Sequence, residues 1–207
     1  MTRGLIGRKL GMSHLYSESG DIVPVTIIEV GPCSVSQVKT IDKDGYSAVQ
    51  LAFGDTKEQR LNKAAKTHLS NANVGPKKYL KEFKFEGDAP ELGATLGVGD
   101  VFTLTDKVKI TGVTKGKGFQ GVVKRHGHHG GPQAHGSRFH KHPGSIGSNT
   151  TPARVFKGVK LPGRDGGLKV SVQRLKIMKI LPEENILLVA GSVPGPMESI
   201  VTIEKVK

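Results

Sequence analysis

The sequence predicts a mainly β protein: a small barrel built by strands from both ends of the chain, with a long basic Gly/His-rich loop extension and a small helical insertion. Three observations lead there. Short β-branched runs separated by turn residues fill both ends of the chain. One stretch between them has the composition of a polyanion-binding loop. Of the 207 residues only 36% are hydrophobic and 5% aromatic, with no Trp, so the interior must be thin and aliphatic.

The elements follow in order. Ser19-Gly20-Asp21 supplies a turn, and Ile22–Val30, rich in Val, Ile and Thr, reads as a strand. Val35 and Val38 belong to a further strand, Asp42–Gly45 forms a turn, and Tyr46–Phe53 continues the pattern, so residues 1–54 are expected in the barrel. The insertion spans about 55–91. Within it, Thr56–Asn71 sets Leu61, Ala64, Ala65, His68 and Leu69 at helical spacing, and Val74-Gly75-Pro76 ends the helix. Tyr79, Phe83 and Phe85 then fit an amphipathic strand or a surface clip.

Strand character returns at Val101–Leu104 and at Val108–Val113. Farther on, Val170, Val172, Leu175 and Ile177 alternate, with a change of parity between Val172 and Leu175 that predicts a bulge. Pro182–Asn185 turns the chain into Ile186–Val189, and Ile200–Lys205 is the last strand. The expected division is a barrel of residues 1–106 and 165–207 and an extension of residues 107–164.

Charge sets the extension apart. The chain carries 31 Lys+Arg against 18 Asp+Glu, a formal +13. From Lys107 to Arg164 there is no Asp or Glu, yet there are twelve Lys or Arg, 12 of the 28 glycines and, between His126 and His142, six of the eight histidines. The remaining 149 residues are close to neutral, with 19 basic and 18 acidic side chains. Between Gly127 and Pro152 the only sizeable apolar side chains are Phe139 and Ile146, too few to offset roughly 1–2 kcal/mol of backbone entropy per ordered residue. A solvated loop has no reason to exclude every carboxylate. An arm that orders against the phosphates of RNA or DNA does. About 35 residues span up to ~110 Å extended, or about half that folded back, which suits entry into a structured RNA.

Other chemistries fit poorly. Gly116-Lys117-Gly118-Phe119-Gln120-Gly121 matches the dinucleotide fingerprint G-x-G-x-x-G, but no acidic residue follows before Asp165 to hold a ribose, and Val122–Gly127 does not read as the required helix. His126, His128, His129, His135, His140 and His142 resemble a metal cluster, yet a cation there would sit among Lys124, Arg125, Arg138 and Lys141 without a supporting carboxylate, so no metal and no cofactor is expected. His135 and Ser137 are not a preorganised base and nucleophile, and Cys33 reads as a buried, inert thiol, so the chain is not expected to be an enzyme or to take a small-molecule substrate. The single Cys excludes a disulfide framework. No apolar run approaches the ~20 residues of a membrane helix, and the first residues lack a signal-peptide core, so no membrane partner is expected.

Several ordered motifs resemble one family. Gly4–Met12, Pro24-Val25-Thr26, Asp44-Gly45-Tyr46, Thr114–Gly121, Lys124-Arg125, His135-Gly136-Ser137, Pro143–Gly147, Arg154–Gly158 and Gly191–Gly195 are similar to the bacterial large-subunit ribosomal protein L three family, over essentially the whole chain. The resemblance implies a translation-protein-type β-barrel on the outside of the subunit, with a basic loop entering 23S ribosomal RNA and approaching the peptidyl-transferase centre, its tip near Gly144–Arg154. It also implies early binding in subunit assembly, neighbours such as L fourteen and L nineteen, and a place in the cytoplasmic ribosome.

Matching motifs carry RNA contact over to Lys115, Lys117, Lys124, Arg125, Ser145, Asn149, Arg154 and Lys157. His126, Arg138, His140, Lys141, Lys160 and Arg164 join them on charge and hydrogen-bonding capacity. Some family members carry a methylated Gln in the tip; Thr150 stands at that place, so this modification is not expected. The alternative is a nonspecific nucleic-acid-binding protein outside the ribosome, which would show a steep salt dependence without preference for ribosomal RNA.

Overall fold

The computed structural model describes residues 3–85, 87 and 89–206. The chain forms β1 (Gly4–Tyr16), β2 (Ile22–Val30), β3 (Cys33–Lys39), β4 (Ala48–Asp55), β5 (Lys77–Phe83) and β6 (Thr95–Leu96). After these come β7 (Lys107–Val113), β8 (Gly118–Gln120), β9 (Gly163–Asp165), β10 (Lys169–Leu181), β11 (Ile186–Ala190) and β12 (Ile200–Lys205). Six of them close a barrel in the order β1, β12, β7, β10, β11, β2, and all the pairings are antiparallel. Closure joins the first and last strands of the chain, Leu5 standing opposite Ile203. It removes the exposed edges that an open sheet would leave along those strands.

Alternation places the interior. In β12, Val201 and Ile203 are buried while Thr202 and Glu204 are half-exposed. In β2, Thr26, Ile28 and Val30 share the buried inner face, and β11 adds Leu187 and Val189. The bulge expected between Val172 and Leu175 is present as a register shift against β7, with Arg174 in the left-handed region (φ 57°). The turn at Pro182–Asn185 is also present, with Asn185 at φ 55°.

Residues 33–96 depart from the expected barrel. β3 and β4 are not barrel strands: they pair with β5 and β6 in a separate four-stranded sheet of order β5, β4, β3, β6. Strand periodicity is the same in either sheet, and only long-range pairing distinguishes them. The helix of the insertion is shorter than its spacing suggested, Lys63–Ser70, preceded by one turn of 3-10 helix at Glu58–Arg60. Asn62 caps it by accepting the Ala65 N–H at 2.8 Å, which fixes where it begins. The helix packs Leu69, with Ala72 and Val74 beyond it, against Ala52 of β4.

A second correction falls at Val101–Leu104, expected as a strand. Val98–Val101 is a helical turn, closed by the Asp100 carboxylate accepting the Gly97 N–H at 2.7 Å, and Phe102 is buried after it. The β-branched Val pair favours a strand; the local side-chain bond to the backbone decides the conformation.

The barrel and the four-stranded sheet share one interior, from Leu5 and Ile110 to Leu51 and Phe83, in which the buried aromatics are Phe53, Phe83 and Phe102. Cys33 lies within it, fully buried, and burial pushes its thiol up to about 11. Lys9 is buried as well, and its ammonium donates to the carbonyls of Val193 (2.8 Å) and Gly195 (3.2 Å). These bonds tie β1 to the loop before β12.

Two outcomes follow. Ile203→Ala should cost about 2–5 kcal/mol in urea unfolding, whereas Ile22→Ala, at the exposed start of β2, should stay within about 0.5 kcal/mol. At pH 8 a thiol reagent should leave native Cys33 unmodified and react only once the chain unfolds, because the protonated thiol is a poor nucleophile.

Candidate nucleic-acid interface

The chain divides into two compact units, residues 1–113 with 169–207, and residues 114–168. Lys107 and Lys109, which begin the acid-free stretch, lie on barrel strand β7, and Lys109 pairs with Glu204 at 3.2 Å. Charge composition does not register that β7 is still paired on both sides.

Residues 114–168 have a defined neck. The Thr114 N–H donates to the Leu168 carbonyl (2.9 Å), the Leu168 N–H to the Thr114 hydroxyl (3.2 Å), and the Lys117 N–H to the Asp165 carbonyl (3.0 Å). β8 and β9 then pair through Gly118–Asp165, Phe119–Arg164 and Gln120–Gly163. A one-turn helix, Val122–His126, follows and ends at Gly127 in the left-handed region (φ 70°). The G-x-G-x-x-G stretch is thus followed by a helix after all, but by one of five residues, and the strand before it pairs antiparallel, unlike the parallel unit of a dinucleotide site.

That turn is fastened to the returning chain. The Arg125 guanidinium donates to the Leu161 carbonyl at 2.8 Å, and His126 Nε2 lies 3.1 Å from the same oxygen. Gly163 permits this: a Cβ there would stand 2.6 Å from Arg125 Nη1. Beyond, the Gly131 N–H donates to the His140 carbonyl (2.6 Å), and the Phe139 and His142 rings meet edge to face at 6.3 Å.

The electrostatics are one-sided. This unit holds ten Lys or Arg and one carboxylate, Asp165. Lys117 pairs with Asp165 at 3.0 Å and holds its carboxyl below the usual aspartate range. Among the described residues, the other nine cations of the unit make no ion pair within the chain. Backbone carbonyls, rather than carboxylates, organise Arg125. No three His, Cys, Asp or Glu side chains gather at metal-binding distance among the described residues.

Of the fourteen residues designated from sequence, Lys115, Lys117, Lys124, Arg125, Arg138, His140, Lys141, Ser145, Asn149, Arg154, Lys157, Lys160 and Arg164 are exposed, and His126 is half-buried. The structure brings Lys117, Arg125, His126 and Arg164 together at the neck, while Arg138, His140 and Lys141 share a separate loop and Ser145–Lys160 form further turns. Sequence reasoning overlooked two aromatic rings. Phe119 on β8 is 75% exposed, and Phe156 is exposed with the Arg154 guanidinium 5.4 Å from its ring centre. Aromatics beside Lys or Arg in a glycine-rich stretch were the available signal.

Fold and charge together define a class: a β-barrel protein carrying a basic appendage with almost no interior and almost no acid. Similarity to known proteins makes this specific. The family model described as Ribosomal protein L3 matches residues 34–185. Similar curated proteins, each named Large ribosomal subunit protein uL3, include those of Leptospira biflexa, 58% identical over 208 residues and 100% of both chains, and Carboxydothermus hydrogenoformans, 51% identical over 206 residues, covering 99% of this chain and 98% of the relative. That of Streptococcus pyogenes serotype M1 is 51% identical over 205 residues, 99% of this chain and 97% of its own. The chain belongs to the ribosomal protein L3 family. It is a structural constituent of the large ribosomal subunit in the cytoplasm, not an enzyme.

The neck pair gives a pH signature. Asp165 should titrate below ordinary aspartates, and Lys117→Ala should move its carboxyl chemical-shift midpoint upward. Because the native value is lowered, the pair's contribution is fully present above the unfolded carboxyl's range and is lost as pH falls through the native value. Amide protection at Lys117 and Gly118, taken relative to the intrinsic exchange rate at each pH, should therefore fall more on acidification in the wild type than in Lys117→Ala.

Proposed function

We propose that residues 114–168, rather than the whole of 107–164, are the RNA-penetrating part of this ribosomal protein, and that residues 1–113 and 169–207 hold it from the outside of the subunit. On this reading the extension enters 23S ribosomal RNA, approaches the peptidyl-transferase centre with Gly144–Arg154 at its tip, and binds early in assembly. Proteins L fourteen and L nineteen are its neighbours.

The observation that carries the proposal is the disposition of charge: ten cations, nine of them without an ion-pair partner among the described residues, on a unit whose buried residues are Val122 and Gly166. Phosphate oxygens satisfy such cations, and release of condensed counterions supplies the driving force. Lys115, Lys117, Lys124, Arg125, Arg138, Lys141, Arg154, Lys157, Lys160 and Arg164 contact phosphate. Ser145, Asn149, His126 and His140 offer hydrogen bonds to phosphate, ribose or base edges. Phe119 and Phe156 offer flat faces on which unpaired bases stack.

Protease protection tests it. Residues 114–168 should be cut readily in the free protein and resist cleavage in the intact large subunit; equal cleavage in both would refute penetration. Arg154→Glu should reduce binding to 23S RNA and flatten its salt dependence by about 0.7–0.9 in log–log slope for each phosphate no longer neutralised, with the urea midpoint of the barrel unchanged.

A further inference from the structure

The barrel carries a second surface of opposite character. β1 and β2 are longer than the strands beside them. β12 pairs with β1 from Gly4 to Arg8, and β11 pairs with β2 from Val25 to Glu29. His14–Tyr16 and Ile22–Pro24 therefore continue as a two-stranded ribbon beyond the closed barrel, while Met12 and Ser13, past the end of β12, still pair with Thr26 and Val25.

The backbone of this ribbon is open on its β1 side. The Ser17 N–H donates to the Asp21 carbonyl at 2.9 Å, so Ser17 faces β2, and so, by alternation, do Leu15 and Ser13. Pro24 agrees: its carbonyl accepts the Gly191 N–H at 2.8 Å on the far side of β2, so its partner His14 also points away from the hairpin. The N–H and C=O groups of Met12, His14 and Tyr16 accordingly line an outer edge. Among the described residues no strand pairs there. Such an edge is a template for strand addition.

The side chains beside that edge are equally unusual. The face that buries Thr26, Ile28 and Val30 inside the barrel continues past its end as Pro24, Ile22, Met12, His14 and Tyr16. There Met12 is 50%, Ile22 64% and Tyr16 69% exposed. Charge then selects the occupant. No Lys or Arg occurs between Lys9 and Lys39 in a chain that has 31 of them. The edge is instead bracketed by exposed carboxylates, Glu18 and Asp21 at the turn and Glu198 at the other end, where its N–H donates to the Lys9 carbonyl. A phosphate backbone is repelled by that arrangement, and a cationic polypeptide is attracted.

We infer that the Met12–Tyr16 edge is a strand-addition site for an extended, Lys/Arg-bearing segment of a neighbouring protein in the large subunit. The added strand bonds to the backbone of Met12, His14 and Tyr16, lays alternate apolar side chains over the exposed face, and meets the carboxylates with its ends. The inference rests on membership of the subunit and is independent of where the basic extension lies.

The test replaces Tyr16 by photoreactive benzoylphenylalanine in whole large subunits, with peptide mapping of the adduct. A protein adduct within a Lys/Arg-bearing extended segment is expected; an adduct to RNA, an adduct to an acidic or helical segment, or no adduct overturns the site. Amide exchange supplies a second reading that tolerates a poorly incorporated variant. Met12, His14 and Tyr16 of the unmodified protein should exchange at least about tenfold more slowly in the subunit than in the free chain, while Ser13 and Leu15 are slow in both. Unchanged exchange at the three outward amides overturns strand addition.

Discussion

Like charges confined to one small unit must be neutralised from outside it, and the rest of the structure follows from that constraint. Residues 114–168 place ten cations against a single carboxylate. At separations below the ~8 Å screening length of physiological salt, each neighbouring pair repels by up to about 1 kcal/mol even in water. The unit does not answer by burying or pairing its charges. It turns them outward and keeps its course through backbone bonds: the β8–β9 ladder, the Arg125 and His126 contacts to the Leu161 carbonyl, and glycines where chains pass closely. The one acid sits at the neck, where it fixes Lys117.

The barrel supplies what such a unit lacks, a continuous apolar interior. It also anchors both ends of the basic unit on neighbouring strands, because β7 and β10 pair and Val113 stands opposite Lys169. Charge is segregated even within the barrel unit. The β1–β2 hairpin excludes Lys and Arg beyond Lys9 as thoroughly as the extension excludes Asp and Glu. One sequence thus encodes two surfaces of opposite charge, a cationic unit and an acid-bracketed strand edge.

Legibility differed by the range of the interaction involved. β2 matched its expected bounds because β-branched composition and the Ser19–Asp21 turn are local signals, and the Val172–Leu175 bulge was visible as a break in parity. The assignment of β3 and β4 to a second sheet was not legible, since an alternating strand does not reveal its partner. Val101–Leu104 was misread as a strand because the Asp100 bond to the Gly97 backbone closes a helical turn that takes in Val101, against valine's strand preference. The designated cations were legible as exposed groups, because an acid-free stretch with few apolar residues cannot bury them. The burial of Lys9 was not, because carbonyls distant in sequence hold its ammonium, nor was the exposure of Phe119, which stands on the two-stranded β8–β9 ladder.

The central claim is that affinity for RNA resides in residues 114–168 while stability resides in the barrel. The pairing of Val113 with Lys169 allows the two to be separated: residues 114–168 can be replaced by a two-residue Asn-Gly turn that closes β7 onto β10 as a hairpin. The decisive measurement is the affinity of this shortened chain for 23S RNA across a salt series, beside its urea unfolding curve. The account predicts an intact barrel that has lost most of its affinity and salt dependence. A shortened chain that binds 23S RNA as tightly as the full one, with the same salt slope, would contradict it.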